Sequence, residues 1–192
     1  MDRALHAGGG TLRDLRNRAL LAVAYDTLCR RSELVALRHE DLQHGAQGDG
    51  TILVRRGKTD QEGAGSIRFL APDTMALLRE WIAPAGIDSG PLFRSVRKGG
   101  RVGDALDGGD VARLFKAMAQ GAGLTPEQVA RISGHSSRVG AAQDMAASDR
   151  IEMPAIMQAG CWKSPQMVAR YTQRQAARRS GAAKLAELQN RI

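Results

Sequence analysis

At 192 residues, with 43% hydrophobic side chains, the chain is long enough to bury a core and too apolar for a disordered tail. Its 28 lysines and arginines against 20 acidic residues leave a formal charge of +8, which points to a polyanionic partner, nucleic acid first. Two cysteines, Cys29 and Cys161, exclude a disulfide framework and a zinc site, and no apolar run approaches the roughly 20 residues of a membrane span or makes a signal peptide of residues 1–20; a reducing, cytoplasmic setting with no membrane partner is the expectation.

In chain order, HAGGG (6–10) reads as a linker. From Thr11, a plausible N-cap, Leu12, Leu15, Ala19, Ala22 and Val23 repeat at helical spacing. After a polar break beyond Leu28, a short helix starts near Ser32 with Leu34 and Leu37 facing inward. TILVRR (51–56) and SIRFL (66–70) are strand-like and flank GKTDQEGAG, which makes a hairpin with Lys58 near its tip. Pro72 suits the first turn of a helix carrying Met75, Leu78 and Trp81. Residues 94–104 read as a loop rich in Gly, Arg and Lys. Val111, Leu114, Phe115 and Met118 mark another helix, and the chain from Thr125 onward is mostly helical, with breaks at Gly134, Ser148–Pro154 and Gly160–Pro165. Ser180 caps a last helix striped by Leu185, Leu188 and Ile192. The fold class expected is mainly α (α+β), with one small antiparallel sheet or hairpin.

Four stretches carry chemistry-bearing residues. In TLCRRSELVALRHEDL (27–42), Arg30 and Glu33 are three apart and can neighbour each other on one helical face, so the acid can aim the guanidinium. By itself this is an ordinary surface ion pair worth about 0–1 kcal/mol. In SGHSSRVGAAQDM (133–145), His135 and Arg138 are again three apart, among small residues that let a bulky ligand approach. Lys58 could swing a proton donor into a site, although most loop lysines are simply solvated. In AGCWKSPQMVARYT (159–172), Met167, Val168 and Tyr171 share a helix face, and Tyr171 follows Trp162 by nine residues. A tyrosine on such a face is ordinarily core.

Together the ordered set Arg-x-x-Glu, hairpin Lys, His-x-x-Arg, Trp, Tyr resembles the tyrosine recombinase (phage integrase) family across nearly the whole chain. GHSSRVGAAQDMA, IMQAGCW and LFRSVRKGG (92–100) carry the likeness in detail. The resemblance implies that Arg30 and Arg138 bind the scissile phosphate, with Glu33 supporting them. It implies that His135 is the histidine of His-x-x-Arg, Trp162 stands where many relatives have a second histidine, Lys58 is the hairpin lysine and Tyr171 the nucleophile. Arg97 and Lys98 would contact the DNA backbone. Cys161, where the nearest family pattern has glycine, and Gln143, where it has a basic residue, are departures. The family's N-terminal helical DNA-binding domain is the larger one. Residues 1–10 are then expected to be a linker from that missing domain, 11–179 the catalytic domain, and 180–192 a C-terminal helix that either docks into a neighbouring protomer on DNA or, without DNA, folds back on its own domain or is disordered.

The chemistry suits these side chains. Attack on a phosphodiester adds charge to the non-bridging oxygens, and arginine forks can clamp it, each preorganised donor being worth on the order of 10²–10³-fold in rate. A phenol, with its pKa near 10, needs a base or a cationic surround. The product would be a 3′-phosphotyrosine and a free 5′-hydroxyl, with Lys58 as general acid. No cofactor and no metal are expected, since there is neither a phosphate-binding loop nor a carboxylate cluster with metal-ligand spacing. The implied partner is double-stranded DNA, with a dimer to tetramer forming on it through the last helix and a monomer in its absence. A type IB topoisomerase, and a DNA-binding module without strand cleavage, remain as alternatives.

Overall fold

The computed structural model describes residues 9–55, 65–178 and 180–191. Thr11 caps the first helix as expected. Its hydroxyl accepts from the Asp14 N–H while Asp14 accepts from the Thr11 N–H, a reciprocal capping box. Helix α1 (Leu12–Thr27) buries Ala19, Leu20, Ala22 and Val23. It ends at Leu28, which takes a left-handed φ of 51°. The Thr27 hydroxyl secures that turn, donating to the Val23 carbonyl at 2.6 Å and accepting from the Cys29 N–H at 3.3 Å. The chain thus turns sharply into α2 (Arg31–Val35), whose N-cap is Arg30.

The expected hairpin is part of a larger sheet. Strands β1 (Leu42–His44), β2 (Gly50–Val54) and β3 (Ser66–Leu70) pair antiparallel in that order, with Leu42 opposite Ile52 and Ile52 opposite Arg68. Ile52 and Val54 alternate inward, as a half-buried strand requires. The hairpin tip, with Lys58, lies outside the described residues. Helix α3 (Pro72–Ala85) packs on α1, and the Asp26 carboxylate accepts from the Ala71 N–H at 2.8 Å just ahead of its first turn. Burial raises the Asp26 carboxyl above its ordinary range.

Residues 94–104 are not a loop, as their composition suggests, but a second antiparallel pair, β4 (Arg94–Val96) and β5 (Val102–Ala105). The reason lies far away in sequence. Arg13 Nε donates to the Val96 carbonyl and Arg16 Nη1 to the Arg94 carbonyl, each at 3.0 Å, so α1 holds the outer edge of strands too short to declare themselves. Arg16 is only 4% exposed, and burial lowers its pKa to about 10 against the opposing charge of Asp110. Helices α4 (Gly108–Gly121) and α5 (Pro126–Ala130) follow, capped by Asp107 and Thr125. One apolar cluster joins α1, β2, α3 and α4, with Trp81 fully buried and its indole N–H donating to the Leu92 carbonyl at 2.9 Å.

The chain divides into two compact units, the first ending at Ser137 and the second beginning at Arg138. The break falls inside α6 (Ser136–Ala147), after which come α7 (Met153–Gly160), α8 (Pro165–Arg178) and α9 (Gly181–Leu188). The buried apolar side chains described in the second unit are Ala141, Ala142, Ile156, Trp162 and Val168. Ser180 caps α9 by accepting from the Ala183 N–H, as expected, and leaves Leu185 and Leu188 exposed at 49% and 82%. Among the described residues no helix is long and apolar enough to cross a membrane. Among the described residues the fold is mostly helical with two small antiparallel sheets, where the sequence suggested one.

Candidate active site

In the first unit, Arg30 and Glu33 meet as their spacing predicts. Arg30 Nη1 lies 2.7 Å from Glu33 Oε1, while Glu33 Oε2 accepts from the Arg30 backbone N–H at 2.8 Å. One carboxylate therefore caps α2 and aims the guanidinium, and the pair is buried well beyond an ordinary surface contact, with side-chain exposures of 19% and 4%. His135 is exposed on a serine-rich turn: its N–H donates to Ser133 Oγ at 3.2 Å, and the Ser133 N–H donates to Ser136 Oγ at 2.9 Å. Gly134 brings that turn against Arg31, the residue after Arg30, for a Cβ placed there would stand 3.4 Å from the Arg31 Cβ.

Arg97 and Lys98 are both exposed in the β4–β5 turn, which the positive φ of Gly99 and Gly100, 86° and 83°, makes tight. Arg97 comes within 3.9 Å of Asp104, itself 98% exposed, so the contact is a weak one.

The second unit gathers three of the expected residues. Arg138, 3% exposed, donates from Nη2 to the Gly160 carbonyl at 2.7 Å and lays its guanidinium carbon 4.5 Å from the Trp162 ring centroid. Trp162, 5% exposed, lies against Tyr171 with ring centroids 5.7 Å apart and planes tilted by 37°. Tyr171 itself is only half-buried. The order is thus cation, indole, phenol.

Two residues that sequence reasoning did not assign to the site complete this arrangement. Gly160 is required at its position, because a Cβ there would come within 2.2 Å of the Trp162 ring. Gln143, noted in the sequence only as a departure, donates from Nε2 to the Tyr171 carbonyl at 3.0 Å. Gly160 before an aromatic residue was the available signal. For Gln143 there was none, since the bond spans 28 residues. The described residues hold no group of three or more His, Cys, Asp or Glu able to bind a metal ion.

The sequence profile described as the Phage integrase family matches residues 3–178. "Recombinase cre" of Escherichia phage P1 is 32% identical over 180 residues, covering 88% of this chain and 52% of that protein. "Integrase/recombinase xerD homolog" of Selenomonas ruminantium is 34% identical over 167 residues, covering 83% and 48%. The chain spans about half the length of these curated relatives. Among solved structures, a XerH site-specific recombinase bound to its palindromic difH substrate in a post-cleavage complex superposes with a TM-score of 0.73 at 22% identity, over 97% of this chain and 51% of that one.

Proposed function

The chain belongs to the phage integrase (tyrosine recombinase) family, and on that premise we propose that it is the strand-cleaving domain of a site-specific DNA recombinase. Tyr171 Oη attacks a DNA phosphorus. The P–O5′ bond breaks, a 3′-phosphotyrosine forms and a 5′-hydroxyl departs. Arg30 and Arg138 hold the non-bridging oxygens as charge develops, with Glu33 fixing the direction of Arg30. His135 takes the phenolic proton, and Trp162 offers its indole N–H as a further donor. Lys58 protonates the leaving 5′-oxygen. Attack by a 5′-hydroxyl of the exchanged strand reverses each step. Because the phosphotyrosine conserves the phosphodiester energy, rejoining draws on no nucleotide hydrolysis.

The observation that carries this reading is the half-buried Tyr171 ring lying against an indole that a buried arginine also contacts. A tyrosine that served only packing would not need a cation two rings away. Arg97 and Lys98, exposed on their glycine turn, suit contacts to the duplex backbone, so affinity falls steeply with salt. Leu185 and Leu188, exposed on α9, suit docking into a neighbouring protomer on DNA. Residues 1–10 serve as the link to a further DNA-binding domain, and residues 11–179 as the catalytic domain. Truncation after residue 179 should then weaken oligomer formation on DNA, read by native gel.

The test of the central reading is a nicked suicide duplex. Wild type should form a denaturation-resistant protein–DNA adduct, and Tyr171→Phe should bind equally well and form none. DNA binding by wild type without any adduct would favour a binding module, and relaxation of supercoiled plasmid whatever its sequence would favour a topoisomerase.

A further inference from the structure

Helix α6 reaches the second unit's aromatic pair twice. Near its start, Arg138 donates to the Gly160 carbonyl and covers Trp162. Five residues on, Gln143 donates to the carbonyl of Tyr171. A carbonyl only accepts, so the Gln143 amide must present its NH2 there, and the donor is set by chemistry rather than by choice of rotamer.

That carbonyl belongs to an unusual peptide. It joins Tyr171 to Thr172, where α8 leaves helical geometry, with φ −118° and ψ 16°. Thr172 is 3% exposed, and its hydroxyl donates at 3.2 Å to the carbonyl of Val168, four residues back, a contact that bends helices. A bend immediately after Tyr171 leaves the direction of its backbone to be decided by whatever grips the neighbouring peptide. The phenol oxygen stands at the far end of a rigid ring, so a small backbone rotation becomes a large displacement at the oxygen. One helix therefore reaches both members of the aromatic pair: Arg138 sets the indole, and Gln143 sets the backbone that carries the phenol.

We propose that Gln143 is a positioning residue for Tyr171, and that its amide, clasping the carbonyl at the kink, fixes where the phenol points. The proposal rests on the reading of Tyr171 as nucleophile. It makes a chemical series rather than a single loss. Gln143→Met keeps the length and removes the donor. Gln143→Lys keeps a donor on a chain of similar reach. Gln143→Glu turns an acceptor toward an acceptor. Cleavage should rank wild type and Lys highest, Met below them and Glu lowest.

The measurements are single-turnover adduct formation at saturating nicked suicide duplex, duplex affinity, melting temperature, and fluorine NMR of the 192-residue chain labelled with 3-fluorotyrosine. The sequence has only Tyr25 and Tyr171, so Tyr171→Phe assigns both lines. Gln143→Met should slow cleavage on the order of 10–100-fold, the scale of a misplacement near 1 Å, with duplex affinity unchanged. The Tyr171 fluorine line should move while the Tyr25 line stays, and Gln143→Lys should restore both rate and line position. Wild-type cleavage by Gln143→Met, an unmoved Tyr171 line, or a loss that merely follows melting temperature without rescue by lysine would each overturn the proposal. If wild type itself forms no adduct, the nucleophile reading fails and takes the positioning role with it. An adduct formed equally by wild type and Gln143→Met overturns the positioning role alone.

Discussion

Arg30 and Arg138 each stand at the head of a helix, yet the two units fix them by different means. Arg30 is steered by a carboxylate, since Glu33 grips both its backbone N–H and its guanidinium. Arg138 is steered by a backbone carbonyl and an indole face. The first unit accommodates a buried charged pair because Leu34 and Leu37 anchor that segment in an extensive apolar cluster. The second unit has fewer buried apolar side chains among its described residues, so individual polar clasps carry more of its order. The same residue type is therefore vulnerable for different reasons in the two places.

The largest effects come from the arginines themselves. Arg30→Ala and Arg138→Ala should each slow adduct formation by about 10²–10³-fold. Urea unfolding should separate them. Arg30→Ala takes the guanidinium away from a carboxylate that is 4% exposed, and should lose up to about 3 kcal/mol. Adding Glu33→Leu should recover most of that stability and none of the cleavage. The same addition to Arg138→Ala should recover nothing. Matching recoveries in both backgrounds would erase the contrast between the units.

Two left-handed residues sharpen it further. Leu28 and Cys161 have nearly the same strained φ, 51° and 47°. Glycine relieves that strain at either position. Leu28, however, is 2% exposed, so Leu28→Gly should lose about 3 kcal/mol or more through lost packing. Cys161 is only half-buried, and Cys161→Gly should gain up to about 1 kcal/mol. Thermal melting decides this, and changes of the same sign would mean that one factor governs both turns.

The smallest effect is one of pH. Glu40 accepts from the Arg38 side chain at 2.6 Å and from the Gly90 N–H at 2.9 Å. Its own backbone N–H and then Arg38 lower its carboxyl from 4.5 to about 2. A lowered carboxyl pKa contributes stability that is whole above the unfolded value and is lost as pH falls through the folded one. Melting temperature should therefore decline between pH 4.5 and about 2, and Glu40→Gln should flatten that decline. An unchanged slope would contradict the clasp.

What was legible in the sequence was local. Thr11 and Ser180 cap their helices with side chains that act within three residues, and Pro72 begins its helix by its own ring geometry. The Arg30–Glu33 pair was readable because a single carboxylate closes it over three residues. The β4–β5 hairpin was not, because Arg94, Ser95, Gly103 and Asp104 carry no strand pattern and the edge is held by arginines on α1. Strand β1 is three residues long and earns its place only by pairing with β2. In the site, the ordered motifs and the family they resemble pointed to Arg138, Trp162 and Tyr171 but not to the kink at Thr172 or the Gln143 clasp. Those depend on contacts between helices, which no local period encodes.

The measurement that bears most directly on the central claim is the chemical site of the linkage. Digesting the adduct with trypsin should release residues 171–174, Tyr-Thr-Gln-Arg, with the nucleotide remnant on the phenol, visible by tandem mass spectrometry. A remnant on residues 19–30, the peptide that holds Tyr25, or on a serine would contradict it.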